Sequence, residues 1–82
     1  MVFLMKNVKP NQKIDCTGLY CPQPVFITRT TLDEMSSGEL LEVLADDPGA
    51  ESDIKALVES LGDELIDFHK EGGILKFIIK KR

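Results

Sequence analysis

Two cysteines in 82 residues are too few for the disulfide framework that small secreted domains use to reinforce a thin core. No run approaches the ~20 apolar residues that a membrane helix needs. The apolar opening at Met1–Met5 is very short and lacks a charged leader, a full apolar region and a small-residue cleavage site, so no signal peptide is expected. Basic residues are in deficit: ten Lys and Arg stand against fourteen Asp and Glu, for a formal net charge of −4. That balance argues against nucleic acid as the main ligand, which usually demands a clustered basic excess. The one basic cluster, Lys76, Lys80, Lys81 and Arg82, reads as a solvated strand end. Internal repeats and low-complexity segments are absent, and 43% hydrophobic with 29% charged residues excludes disorder throughout. A reducing, cytoplasmic setting is the expectation. There a singled-out cysteine is reactive or buried rather than structural.

A chain this short buries only about 60% of the surface its unfolded form exposes, which leaves room for one core and no enclosed chamber. Residues 1–11 show no clear period and contain Pro10, so they are expected to form a loosely held N-terminal arm, with residues 12–82 as the single domain. Gln12–Cys16 reads as a strand with Ile14 and Cys16 on one face, broken by Gly18. Proline suits the first turn of a helix, where N–H groups have no partner to lose, so Cys21-Pro22-Gln23-Pro24 reads as a helix start. That helix runs to about Met35, with Val25, Leu32 and Met35 roughly in line and Phe26 and Arg29 beside them, before Ser36, Ser37 and Gly38.

Glu39–Ala45 reads as a strand, stopped by Asp46-Asp47-Pro48-Gly49. Ile54, Leu57, Val58 and Leu61 then make one helical stripe, ended by Gly62. Asp53, Lys55, Glu59 and Ser60 fall largely on its solvated side. Glu64–Lys70 alternates, with Ile66 and Phe68 on one face and Asp67 and His69 on the other. A Gly72-Gly73 turn leads to Ile74–Lys80, where Leu75, Phe77 and Ile79 face the core and Ile74, Ile78 and Lys76 face away. The order βαβαββ predicts an α/β (α+β) two-layer sandwich, a four-stranded mixed sheet with two helices on one face.

The chemistry points to Cys21. A thiolate is the nucleophilic form, and a free cysteine has a pKa of about 8.5. The first turn of a helix carries unpaired N–H groups and about half a positive charge. Placed at about the N-cap, with the amides of Gln23 and Val25 nearby, Cys21 is expected to be favoured as a thiolate and equally as a persulfide anion. The plainer reading, a small buried hydrophobe that happens to precede a helix, stays open on local chemistry alone.

Asp15-Cys16-Thr17-Gly18-Leu19-Tyr20-Cys21-Pro22-Gln23-Pro24 resembles the signature of the TusA/SirA family of sulfur-carrier proteins: an acidic residue, a glycine, then Cys-Pro-x-Pro opening the first helix. The resemblance continues through Gly38-Glu39, Ala45-Asp46-Asp47-Pro48 and Asp53-Ile54, and covers about residues 12–82. It implies the same βαβαββ sandwich. It implies that Cys21 bears sulfur as a persulfide, supported by Asp15, Gly18, Pro22, Gln23 and Pro24. It also implies a protein donor such as a cysteine desulfurase and a protein acceptor in tRNA thiolation, cofactor synthesis or sulfur oxidation. No cofactor is expected, and whether such a relay counts as an enzyme is partly convention.

Cys16 is not required by that pattern. It reads as a buried core residue, as a resolving thiol that forms a disulfide with Cys21, or as a metal ligand with it. Its spacing from Cys21 is longer than the usual Cys-x2-Cys element and no second pair exists, so a permanent metal site is not expected. His69, the only histidine, reads as a surface residue, Asp46 and Asp47 as a capping and turn pair, and Asp15 as an organiser of the Gly18 loop. Arg29 has no assigned contact. Three functions therefore stand: a sulfur carrier through Cys21, a thiol–disulfide redox or regulatory module using Cys16 and Cys21, and a non-catalytic RNA-binding module. The acidic charge and the lack of a basic aromatic face count against the third.

Overall fold

A computed structural model describes residues 10–82 of the chain. Within them the elements run β1 (Gln12–Cys16), α1 (Gln23–Asp33), β2 (Leu40–Ala45), α2 (Ala50–Leu61), β3 (Glu64–Glu71) and β4 (Ile74–Lys80). The strands form one sheet in the order β1-β2-β4-β3. β1 lies parallel to β2, and β4 runs antiparallel to both β2 and β3. Each helix therefore joins two parallel strands, and such crossovers lay helices across a face of the sheet. The result is the expected α+β sandwich with a mixed, open sheet.

The core lies between sheet and helices. Leu41, Val43 and Ala45 of β2, Leu75, Phe77 and Ile79 of β4, Leu32 of α1 and Ile54 and Val58 of α2 are all buried. β4 has neighbours on both sides, which is why even Ile78, on the opposite face between Glu42 and Asp67, is nearly covered. Lys76 on that face approaches Glu42 at 3.8 Å.

Three details differ from the sequence pattern. The buried stripe of α1 is Pro24, Thr28 and Leu32, while Val25 packs only at its edge. The helix stops at Asp33 because the N–H groups of Glu34 and Met35 donate three residues back, to Thr31 and Leu32, tightening the last turn. In β3 the register shifts between Leu65 and Asp67, leaving Ile66 without a partner on β4. A bulge of this kind inserts one residue and changes the phase of alternation. Hence Leu65 and Phe68 pack on the core and Ile66 does not. The Phe68 ring lies 5.0 Å from that of Phe77, with Lys55 Nζ 4.2 Å from its centroid.

The arm expected over residues 1–11 falls, for residues 1–9, outside the described residues. Asn11 is tied to Leu40 twice, through its N–H to the Leu40 carbonyl and through Oδ1 to the Leu40 N–H, both at 2.8 Å.

Candidate functional site

Parallel pairing sets the site. Cys16 ends β1 beside Ala45, which ends β2, so the two loops that follow leave the sheet side by side. Loops at the carboxyl ends of parallel strands are where open α/β sheets carry their chemistry. Here carboxylates join them. Asp46 Oδ1 accepts the Gly18 N–H at 2.9 Å, and Asp47 Oδ2 accepts the Cys21 N–H at 2.8 Å. Asp15 Oδ1 accepts the N–H and hydroxyl of Thr17, at 3.0 and 2.6 Å, and these two bonds hold its carboxyl below the usual range. Leu19 N–H returns to the Cys16 carbonyl at 3.1 Å across Gly18, whose φ of 84° lies in the region where a side chain is strained.

Cys21 emerges exposed from this loop pair. Its Sγ donates to Asp53 Oδ2 at 2.8 Å, a carboxylate on the fourth residue of α2. That hydrogen bond, then loss of solvent and the charges of Asp53 and Asp47, push the thiol above its ordinary pKa. The expectation of a favoured thiolate is thus reversed. Pro22, not Cys21, is the N-cap of α1. The Gln23 N–H is already taken by the Tyr20 carbonyl at 2.9 Å, and Pro22 and Pro24 carry no N–H. The Gln23 N–H is therefore not free for Cys21, and the full charges that act on the thiol, those of Asp53 and Asp47, are negative. The Cys21–Pro22 peptide is cis.

Among the other residues singled out, Pro24 is buried on the core face of α1, whereas Gly18, Pro22 and Gln23 are exposed. Tyr20, next to Cys21 in the chain, and Phe26, in the first turn of α1, are 73% and 60% exposed. Ile27, Thr30 and Thr31 line a shallow depression of about 240 Å³ with Phe26. Cys16 is fully buried in the core, and burial together with the Asp15 charge pushes its thiol up. His69 stands exposed on β3, at the sheet edge opposite β1, and reaches Glu71 at 3.1 Å, so it is not brought to Cys21. Among the described residues no group of three His, Cys, Asp or Glu side chains is arranged to hold a metal, and no helix is long and apolar enough to cross a membrane.

Asp53 is the residue that sequence reasoning missed. It appears there as part of a solvated helix side and in the Asp53-Ile54 pair of the family resemblance, without a role at the thiol. The signal that could have found it is topological: parallel β1 and β2 place the start of α2 next to the loop that carries Cys21.

Comparison with known proteins bears on the family and the fold. A family model described as sulfurtransferase TusA matches residues 12–81. The sulfur carrier protein TusA of Allochromatium vinosum is 44% identical over 71 residues, covering 87% of this chain and 93% of its own length. A protein of Archaeoglobus fulgidus, provisionally named a sulfur carrier, is 54% identical over 70 residues, covering 84% of this chain and 91% of its own. The crystal structure of a SirA-like protein from Desulfitobacterium hafniense superposes with a TM-score of 0.76 at 25% identity, covering 84% of this chain and 95% of its own.

Proposed function

We propose a sulfur-relay role for this chain, which belongs to the TusA family of sulfurtransferases. Cys21 takes sulfane sulfur from a protein donor such as a cysteine desulfurase, holds it as a persulfide, and passes it to a protein acceptor. The observation that carries the reading is the setting of the thiol. Cys21 is exposed on the loop before α1, as are its chain neighbour Tyr20 and Phe26 of the first helical turn, while Cys16 is sealed in the core. Exchange at sulfur requires a thiol that two partners can reach in turn, and a rim serves this better than a pocket. The exposed side chains of Tyr20 and Phe26 suit docking of a protein surface, since aromatic residues are enriched at such interfaces.

Each transfer is a displacement at sulfur. The Cys21 sulfur bonds to the terminal sulfur of the donor persulfide, the donor S–S bond breaks, and the donor keeps the electron pair as a thiolate. No oxidant or reductant is consumed. The second half repeats the step with Cys21 as the leaving thiol. Such a cycle belongs in a reducing compartment, where the resting cysteine stays a thiol. Acceptors in tRNA thiolation, cofactor synthesis or sulfur oxidation all fit this chemistry. A switch between Cys16 and Cys21 gains no support from the geometry, because the Cys16 side chain is enclosed by the core.

Discharge tests the relay. Protein loaded with sulfur and freed of its donor should convert cyanide to thiocyanate, one per loaded Cys21. Loaded Cys16→Ala should do the same and Cys21→Ser should not. Thiocyanate formed equally by Cys21→Ser would overturn the reading.

A further inference from the structure

The carboxylate at the thiol has no part in the relay as stated. Asp53 Oδ2 accepts the Cys21 S–H at 2.8 Å, and among the described residues its side chain has no other hydrogen-bond partner. Its acidic neighbours are engaged differently: Asp47 takes the backbone N–H groups of Cys21 and Gly49, Asp46 that of Gly18, and Asp15 the Thr17 pair. Asp53 and Asp47 are the charges that act on the thiol, and no cation is among them. The resting group is therefore a neutral thiol bonded to one carboxylate. When its sulfur attacks, the proton must leave along some path, and only Asp53 already holds it in a hydrogen bond.

We propose that Asp53 takes the proton from Cys21 as Sγ forms its new S–S bond, and delivers it to the sulfur that leaves the donor. This rests on the relay reading above. The step balances. Donor R–S–SH and Cys21–SH give R–SH and Cys21–S–SH: one S–S bond forms, one breaks, the broken bond's electrons stay on the donor sulfur, and the proton follows them through Asp53. A carboxylate is a poor resting base for a thiol. It is well matched to the return, because a protonated carboxyl readily gives its proton to a thiolate. The same hydrogen bond predicts that Cys21 reacts slowly with reagents that need a preformed thiolate, while a persulfide docked against both groups meets a proton acceptor already in place.

The test compares wild type, Asp53→Asn and Asp53→Glu by two readouts of opposite expected sign. Alkylation by iodoacetamide across pH reads the thiolate alone. Sulfur uptake from a low-molecular-weight alkyl persulfide, followed by mass, reads the full transfer. Asn keeps the size of Asp and removes its charge, so Asp53→Asn should alkylate faster at neutral pH with its profile moved to lower pH. The same variant should take up sulfur about 10²-fold more slowly, the scale of a positioned proton acceptor. Asp53→Glu should recover part of the uptake. An unchanged thermal midpoint shows that the fold is kept. If uptake in Asp53→Asn equals wild type, or rises in step with alkylation, the role of Asp53 is overturned while the relay stands. If wild type takes up no sulfur at all, the relay falls and this role with it.

Discussion

Asp47 joins the two loops of the site: Oδ2 accepts the Cys21 N–H at 2.8 Å across them, and Oδ1 accepts the N–H of Gly49, the N-cap of α2, at 3.2 Å within its own loop. The residue that carries the thiol is thereby fastened to the start of α2, the helix that supplies Asp53.

Removing this fastening should loosen the site and weaken the fold. Asp47→Ala loses both bonds, at about 1 kcal/mol each when nothing replaces them. A fall of about 1–2 kcal/mol in urea unfolding is expected. Asp47→Asn keeps one acceptor and removes a charge that raises the Cys21 pKa, so it should lose less stability and alkylate at lower pH than wild type. No change in either measurement would show that Asp47 does not hold the loop.

The pH dependence has a definite sign. The Cys21 thiol is raised in the folded state, so that state binds its proton more tightly than the unfolded chain does. The contribution to stability is fully present below the ordinary thiol pKa of about 8.5 and is lost as pH rises through the higher folded value. Alkylation of Cys21 should therefore have its midpoint above about 8.5, and Cys21→Ala should flatten the alkaline fall in stability. A midpoint below that value would mean a favoured thiolate, as a helix start alone implies. Asp15 works in the opposite direction. Its lowered carboxyl contributes above the ordinary value of about 3.9, and the contribution is lost as pH falls through the folded value.

Cys16 should behave as part of the core. In the native protein iodoacetamide should label Cys21 alone, with Cys16 reacting only after denaturation, as peptide mapping would show. Cys16→Ala should cost about 1 kcal/mol, the scale of one lost buried group. Cys16→Ser should cost more, about 1–3 kcal/mol, because it buries a hydroxyl where the core offers it no partner. Labelling of native Cys16 at the rate of Cys21 would contradict the burial.

The β3 bulge separates two neighbours that look alike in sequence. Ile66 is 40% exposed and unpaired, so Ile66→Thr should change stability by no more than about 0.5 kcal/mol. Phe68→Ala removes a half-buried ring tilted against Phe77 and under Lys55, and should cost about 2 kcal/mol. Equal losses in thermal or urea unfolding would place Ile66 in the core after all.

Periodicity made most of the fold legible. The alternation of Leu75, Phe77 and Ile79 reports a buried face directly, and the Ile54–Leu61 stripe reports most of one. Ile54 and Val58 are buried and Leu61 packs at the core edge, whereas Leu57 is only half-buried and Ala50, outside the stripe, is buried. Ile66 could not be placed the same way, because a bulge shifts the phase without any marker in the residues themselves. Thr28 was missed because a hydroxyl does not register in an apolar pattern, although it lies fully buried on α1. At the site, the exposed Cys21 and the Gly18 loop were legible from punctuation by Gly and Pro. The protonation state was not. It depends on Asp53, thirty-two residues away in sequence, and on the Gln23 N–H being claimed by Tyr20. Local helix-start chemistry predicts the field of a free helix end, and tertiary placement of two carboxylates outweighs it here.

The most direct measurement is intact mass without reductant after incubation with a cysteine desulfurase and cysteine, for wild type, Cys21→Ser and Cys16→Ala. A gain of one sulfur, about 32 Da, removed by reductant, present in wild type and Cys16→Ala and absent from Cys21→Ser, is the predicted result. No gain in wild type, or a gain that survives in Cys21→Ser, would contradict Cys21 as the sulfur-bearing group.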